Sequence, residues 1–255
     1  MQNVPSASDG SWLAYATPAA SPRADVLELR YGPDSSPRPT DMLCRSRICY
    51  DLDSRAAQCV GSPRSDFPAL PEGGTGPQGA LTLPADAFDL IIMNGVFDRE
   101  PAVNGGGADI DRGALLSLTY RALRSGGFVA IAGPNLLHPR YFGLRVRRRL
   151  AGLLRRPKGA APGAESPAPM TYWGYVHRLR RAGFRNAQVF NVIPDHLHPQ
   201  HLVSAERDAS GAYFKNVIED RRANISYPNY LFRRLLLWLN AFPYVERSYL
   251  VFAQK

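Results

Sequence analysis

Few side chains of this 255-residue chain could take part in acid–base or metal chemistry near neutral pH. His196, His198 and His201 stand close together in the segment PDHLHPQH, a spacing that could supply a general base or imidazole ligands for a metal ion. Prolines flank the cluster and no nearby cysteine completes a ligand set. The sequence therefore predicts a loop here and no metal site.

The three cysteines form no recognisable site either. Cys44, Cys49 and Cys59 are odd in number and lack the paired spacing of zinc ligands, which argues against a disulfide framework and favours small buried thiols in a reducing compartment. The sequence contains no Gly-x-x-x-x-Gly-Lys loop, His-Glu-x-x-His pair or Gly-x-Ser-x-Gly elbow. Phosphate hydrolysis, zinc proteolysis and serine hydrolysis thus have no support.

The formal charge of +9 is concentrated in one segment. Residues 140–158 hold seven Arg and one Lys without an acid, and subtracting these eight from the 31 basic residues leaves 23 against 22 acids. Helical spacing places Phe142, Val146, Leu150 and Leu153 within about 80° of one another, which predicts a basic amphipathic helix. Such a helix could lie on an anionic membrane, hold an acidic substrate, or pack on a sheet edge with a solvated arginine face. Because the rest of the chain is nearly neutral, nucleic acid is not expected as a partner.

The elements that must position these residues alternate between strands and helices. Apolar runs bounded by turn residues predict strands, and apolar residues at helical spacing predict helices. The strands are 25–29, 47–51, 88–94, 128–132, 184–193 and 247–253, and the helices are 114–123, closed by Gly126-Gly127, and 172–182, closed by Gly183. The order strand, helix, strand over 88–132 is a βαβ unit, so an α/β fold with a parallel sheet is expected.

Three regions lie outside this alternation. Residues 1–24 read as a flexible lead-in, and the body at 25–255 contains a basic insert at about 136–170 and a helical insert at about 195–246. The helical insert carries helix signals at 205–221 and 230–239. The aromatic set Tyr172, Trp173 and Tyr175 is interpreted as core packing of its helix, with a substrate cage as the alternative.

Four stretches of the sequence carry a family resemblance. They are VLELRYGP at 26–33, ICYDLD at 48–53, LPADAFDLIIMNGVFD at 83–98 and LTYRALRSGGFVAIAGPN at 118–135. From about residue 25 onward, the chain resembles the class I S-adenosylmethionine-dependent methyltransferases of the small-molecule, methyltransferase type 11-like kind, with a degenerate glycine motif. The resemblance implies a Rossmann-like, doubly wound, mostly parallel sheet with an antiparallel last strand and helical inserts. It also implies S-adenosylmethionine as cofactor.

The same resemblance assigns the cofactor-side residues. Glu28 is the acid near the end of the first strand, and Gly32 lies in the turn that follows. Asp51 would accept both hydroxyl protons of the ribose. Asn94 and Gly95 would flank the sulfonium and the incoming nucleophile. No catalytic residue is identified, although His138 lies near the expected place of the methyl acceptor and is a weak candidate for a general base.

Two places depart from the family pattern. The glycine motif is replaced by Arg30-Tyr31-Gly32-Pro33-Asp34, so that Arg30 or Asp34 either fills the space of the methionine carboxylate or, for Arg30, pairs with it. The third strand is either 58–62, which is favoured and would put Ser62 or Asp66 on the adenine side, or 79–82, where no acid follows.

The expected function is methyl transfer to O or N of a small-molecule or cell-envelope-type acceptor, including lipid- or glycan-linked ones. The alternative is a catalytically impaired methyltransferase-like scaffold that binds a membrane or a protein partner. The sequence Asn94-Gly95-Val96-Phe97 lacks the Asn-Pro-Pro-aromatic pattern of enzymes that hold a flipped base. With neither a secretory signal nor a window of roughly 18 to 20 apolar residues, a cytoplasmic protein is expected, peripheral on the inner membrane face if residues 140–158 contact lipid.

Overall fold

The computed structural model describes residues 24–30, 44–52, 56–60, 81–97, 112–138, 170–193, 201–220, 227–239 and 241–255. The predicted lead-in, Gly32, Asp34, the basic segment 140–158, His196 and His198 lie outside these ranges. For Arg30, Asp51, Asn94 and the whole third strand, the backbone is described without the side chains.

Eight strands form one mixed sheet in the order β3-β2-β1-β4-β5-β8-β6-β7. Strands β1, β2, β4, β5 and β6 share one direction, and β3, β7 and β8 run against it. The bounds are β1 Asp25–Arg30, β2 Ser46–Asp51, β3 Ala56–Val60, β4 Phe88–Asn94, β5 Leu123–Pro134, β6 Arg185–Ile193, β7 His201–Ser204 and β8 Ser248–Gln254. The predicted class is confirmed: the sheet is mostly parallel, and its last strand is antiparallel to both neighbours.

Strand β3 corresponds to the favoured alternative, 58–62, but begins and ends two residues earlier. Its direction was not predicted. It pairs antiparallel with β2, from Ala56 opposite Asp51 to Val60 opposite Arg47. Only four residues separate the two strands, whereas a parallel connection needs a dozen or more. The strand therefore forms a hairpin and ends at the amino edge of β2. Ser62 and Asp66 lie outside the described residues.

The helices agree with the sequence within a few residues, and the βαβ unit is confirmed. They are α1 Arg112–Ala122, α2 Tyr172–Arg181, α3 Arg207–Asp220, α4 Tyr227–Trp238 and the short α5 Phe242–Val245, which was not predicted, as β7 was not. Among the described residues, none of these helices is both long enough and apolar enough to cross a membrane.

The glycines after α1 do not close that helix, as the sequence suggested. Helix α1 ends at Ala122, and Leu123 already pairs with Phe88, so Gly126 and Gly127 fall inside the irregular start of β5. Gly126 has a φ of 78°, and a Cβ on Gly127 would lie 3.0 Å from the carbonyl oxygen of Arg124. The pair is needed for this bulged entry into the strand.

Gly183 does end α2, as predicted. Its φ is 102°, and beyond it the amide of Phe184 donates to the carbonyl of Leu179 at 3.1 Å. This left-handed residue after the last helical turn satisfies carbonyls that the helix cannot pair itself.

The two faces of the sheet are both apolar. One face carries Leu27, Leu29, Ile91 and Met93 and packs with α1 and α2. The other carries, among others, Val26, Leu90, Ile92, Ala130 and Leu250. Each fully buried aliphatic side chain contributes about 1.5–3 kcal/mol to folding, so the central strands supply most of the favourable free energy.

A network of charges closes the amino edge of the central strands. Asp25 is 1% exposed and accepts hydrogen bonds from Arg45 Nε at 2.8 Å, Ser46 Oγ at 2.7 Å and Arg124 at 2.9 Å. Arg124 also binds Asp89 at 2.6 Å, and Asp89 accepts from the backbone amide of Asp25 at 2.8 Å. The network joins β1, β2, β4 and β5 at one end.

Replacing Asp25 by Asn should lower the free energy of unfolding by about 1–3 kcal/mol, because two arginines lose their shared carboxylate. This loss in the free energy of unfolding is smaller than that expected for a fully buried ion pair, because the Arg45 and Arg124 side chains are 34% and 37% exposed. Urea unfolding followed by circular dichroism measures the change. Asp208→Asn, on the exposed face of α3, is the matched control and should cost less than about 1 kcal/mol; equal effects of the two changes would contradict the role of the network.

Candidate functional site

The carboxyl edge of the parallel strands brings together three of the residues that the sequence singled out. Arg30 pairs in register with Asp51, and Asn94 pairs with Ala132. Because Leu29 pairs with Met93, Asn94 lies level with Arg30. Neighbouring strands are about 4.8 Å apart, so the backbones of Asp51 and Asn94 lie about 10 Å apart with Arg30 between them.

This row coincides with the point where the chain changes direction across the sheet. From β1 the chain moves outward to β2 and β3, then returns to form β4 on the other side of β1. The chain thus continues from β1 to β2 on one side and from β4 to β5 on the other, so the switch in strand order falls between β1 and β4. In open α/β sheets, ligands bind in the crevice at such a switch point.

Gly95 makes the turn that follows β4. Its φ is 67°, and its amide donates to the carbonyl of Ala132 at 2.9 Å. Behind it, the Phe97 ring lies edge-on to Tyr175 of α2 with centroids 6.1 Å apart, and Arg112 of α1 donates to the Phe97 carbonyl. The turn is thus held from both sides, and a residue other than glycine would be strained at position 95.

Glu28 lies on β1, two residues before Arg30, and its side chain is 1% exposed. Its carboxylate accepts from the guanidinium of Arg47 and from Cys49 Sγ at 3.4 Å, both on β2. Burial alone would lower the pKa of Arg47, but the charge and hydrogen bond of Glu28 outweigh it and raise that pKa above its ordinary value. Burial likewise raises the pKa of the nearby Cys44 thiol, although Arg47 opposes this. In this structure Glu28 therefore links β1 to β2 through Arg47 and Cys49. A direct contact between Glu28 and a cofactor stays a prediction.

His138 lies half-buried on the turn after β5, at the same edge of the sheet. The turn is fixed by Asn135, which is fully buried and donates from its amide to the carbonyls of Tyr244 and Glu246 at 2.8 and 2.7 Å. Its side-chain oxygen accepts from the Leu137 amide at 2.9 Å, and its carbonyl accepts from the His138 amide at 3.1 Å. The sequence Gly133-Pro134-Asn135 indicates a turn, but sequence reasoning gave the Asn135 side chain no role in fixing it, although Asn in a turn often bonds the backbone two residues on.

The aromatic set on α2 divides between two environments. Tyr175 is buried in the core, as predicted, whereas Trp173 is 53% exposed and stacks on Tyr244 with ring centroids 4.7 Å apart. Trp173 is therefore not core packing. Since Tyr244 also holds Asn135 through its carbonyl, the stacked pair lies beside the turn that carries His138.

Of the histidine cluster the structure describes His201, which lies at this same edge of the sheet but four strands away from β4. His201 begins β7, the outermost strand, and its exposed ring lies 5.9 Å from that of Tyr213. Among the described residues, no group of three or more His, Cys, Asp or Glu is arranged to hold a metal ion.

No protein-family model and no curated protein matches the sequence. Solved structures of similar shape include S-adenosylmethionine-dependent methyltransferases. One from Thermotoga maritima, named as a possible histamine N-methyltransferase, is 9% identical with a TM-score of 0.46 over 96% of this chain and 88% of its own. One from Mesorhizobium loti is 13% identical with a TM-score of 0.44 over 98% of both chains.

A third similar structure is phosphoethanolamine N-methyltransferase 2 of Haemonchus contortus. It is 14% identical with a TM-score of 0.43 over 95% of this chain, which spans about half of that enzyme, 51%. These TM-scores lie below 0.5, so the fold is assigned from the strand order and directions described above.

Replacing Glu28 by Gln should lower the free energy of unfolding by about 3–5 kcal/mol, because the charge of Arg47 would stay buried without its counter-ion. The double variant Glu28→Leu/Arg47→Met removes both charges and should recover most of that loss. Urea unfolding of the wild type, Glu28→Leu, Arg47→Met and the double variant forms a complete cycle. Additive effects of the single changes would contradict a coupled pair.

Proposed function

We propose that the chain is an S-adenosylmethionine-dependent methyltransferase that acts on O or N of a small-molecule or cell-envelope-type acceptor. The observation that carries the proposal is the coincidence of the Asp51, Arg30 and Asn94 row with the switch point of the sheet. The sequence resemblance singles out Asp51 and Asn94, and the backbone register, in which both end their strands at one edge of the sheet, supports the proposal. The resemblance and the strand order therefore indicate the same edge of the sheet.

The residues present fit the cofactor. An adenosyl group lying across β2, β1 and β4 would have its ribose hydroxyls at Asp51 and its sulfonium near Asn94 and Gly95, about two strand spacings away. Arg30, between them, could pair with the methionine carboxylate by charge-assisted hydrogen bonds. When bound, the cofactor supplies a methyl group on a positively charged sulfur that can be displaced in line.

The chain's own contribution is to hold the acceptor against that methyl group and to keep water out. Holding two reactants at reacting distance can supply the larger part of a barrier reduction. The turns at Gly95 and at Asn135 lie at the same edge of the sheet, and we assign His138, on the second turn, as the candidate to take the acceptor proton. The exposed stack of Trp173 on Tyr244 would form an apolar wall for the acceptor on the same side.

Asp51→Ala should weaken the binding of S-adenosylhomocysteine at least about 100-fold, because two hydrogen bonds from the ribose to a carboxylate would be lost. Isothermal titration calorimetry with the full chain measures the dissociation constant. Asp208→Ala, an exposed aspartate on α3, is the matched control and should bind as the wild type does. Equal affinity in Asp51→Ala would refute the assignment.

A second part of the proposal concerns the basic segment 140–158, which we assign to an anionic membrane surface. Replacing Arg147, Arg148 and Arg149 by Ser should lower binding to phosphatidylglycerol-containing vesicles by about two orders of magnitude, since each arginine near such a surface contributes about 1 kcal/mol. Vesicle co-sedimentation measures this. Replacing Arg178, Arg180 and Arg181, exposed at the end of α2, removes the same charge and should have a smaller effect; unchanged binding in the first variant would reject the membrane role.

A further inference from the structure

Helix α4 presents an uncovered apolar stripe to the outside of the molecule. At about 100° per residue, its exposed apolar side chains occupy a continuous arc of about 140°. They are Tyr227, Leu231, Phe232, Leu235, Trp238 and the following Leu239, with exposed fractions from 47% for Leu235 to 79% for Trp238. Isolated exposed apolar residues need no explanation, but a contiguous patch of six large ones marks a binding surface.

The stripe is not the face by which α4 packs on the protein. Tyr230, Leu236 and Leu237 lie on the opposite side and contact the cluster around Phe214 of α3. The helix therefore already has a core-facing side of ordinary composition. The apolar side chains on the outward side therefore make no contribution to the core.

Both charged residues of the helix itself are arginines. Residues 227–239 contain Arg233 and Arg234 and no acid. Arg234 is exposed at one margin of the stripe, with its guanidinium carbon 5.8 Å from the centre of the Tyr230 ring. Arg233 lies on the packed side near Glu246. The pKa of Glu246 is raised above its ordinary value, because burial outweighs a backbone hydrogen bond from Arg247 and the charge of Arg233.

This composition matches a lipid surface better than a second copy of the chain. Tyr227 and Trp238, exposed by 71% and 79%, lie at the two ends of the helix, with leucines and a phenylalanine between them. Aromatic ends, an aliphatic middle and flanking arginine are typical of a helix that lies in the membrane interface. A stable dimer interface uses about 20–30 residues on each side, several times what this stripe offers.

We propose that α4 is a membrane-docking helix that inserts its Tyr227-to-Leu239 stripe into the interfacial region of an anionic lipid bilayer. This docking helix is separate from the proposed methyl-transfer site and from the basic segment 140–158, and the structure describes its exposed side chains. Apolar burial of the stripe supplies the affinity, and Arg234 favours anionic headgroups. The helix lies in the plane of the surface and does not cross it.

The test uses the full chain with vesicles of phosphatidylcholine containing about 30 mol% phosphatidylglycerol, a composition chosen so that both apolar and charge effects register. Trp238→Ser should lower the partition coefficient at least about fivefold, and Leu235→Ser/Trp238→Ser further. Trp173→Ser, the loss of another exposed tryptophan, is the matched control and should change the coefficient less than about twofold. Far-ultraviolet circular dichroism confirms that each variant is folded.

Insertion is read out separately by fluorescence. With Trp12 and Trp173 replaced by Phe, the emission of Trp238 should shift to the blue on vesicle addition and be quenched by brominated lipid. Absence of both changes, or equal vesicle binding by Trp238→Ser and the wild type, would overturn the proposal. So would a dimer in light scattering that Leu235→Ser/Trp238→Ser dissociates, since the stripe would then hold a second copy.

The two proposals fail on different readouts. Asp51→Ala should leave vesicle binding unchanged, and Trp238→Ser should leave the binding of S-adenosylhomocysteine unchanged. About 0.5 M NaCl separates the two membrane elements, because it shortens the Debye length to a few ångströms and weakens arginine contacts more than apolar insertion. The part of the binding that survives this salt should be the part that Trp238→Ser removes.

Discussion

Strand β1 carries two carboxylates through the centre of the sheet, where water does not reach them. Asp25 and Glu28 are each 1% exposed. An unmatched charge there would cost several kcal/mol, so each carboxylate requires an arginine from a neighbouring element. Arg45 and Arg47 come from the entry to β2 and from β2 itself, and Arg124 comes from the start of β5. These pairs therefore specify which strands surround β1, while apolar burial supplies most of the free energy.

The candidate site inherits its geometry from that arrangement. Side chains alternate along a strand, so a slip of one residue between β1 and β2 would turn every side chain to the other face and take Asp51 out of the row with Arg30 and Asn94. The buried pair between Glu28 and Arg47 opposes such a slip, because it would separate the two charges inside the sheet. The stability of the central strands and the position of the site thus depend on the same interactions.

Residues that follow α4, more than a hundred positions along the chain from Asn135, hold the turn after β5. The carbonyls of Tyr244 and Glu246, which follow α4, receive the amide of Asn135 and so hold the turn that carries His138. Tyr244 also stacks on Trp173 at the start of α2. The short helix α5 therefore lies between the exposed stripe of α4 and this edge of the sheet along the chain.

Local patterns in the sequence determined the strands at 88–94 and 185–193, the end of α2 at Gly183 and the placement of Asp51 and Asn94 at strand ends. Apolar periodicity and turn chemistry act within a few residues, so one chain is enough to read them. Only the tertiary structure decided that β3 is a hairpin strand, that Gly126 and Gly127 belong to β5, that Arg47 neutralises Glu28, and that Asn135 is anchored by residues more than a hundred positions away. The same holds for α4, whose sequence is apolar on several sides. Which of these sides is buried depends on the surfaces that the rest of the chain brings to it, and a local pattern carries no information about those surfaces.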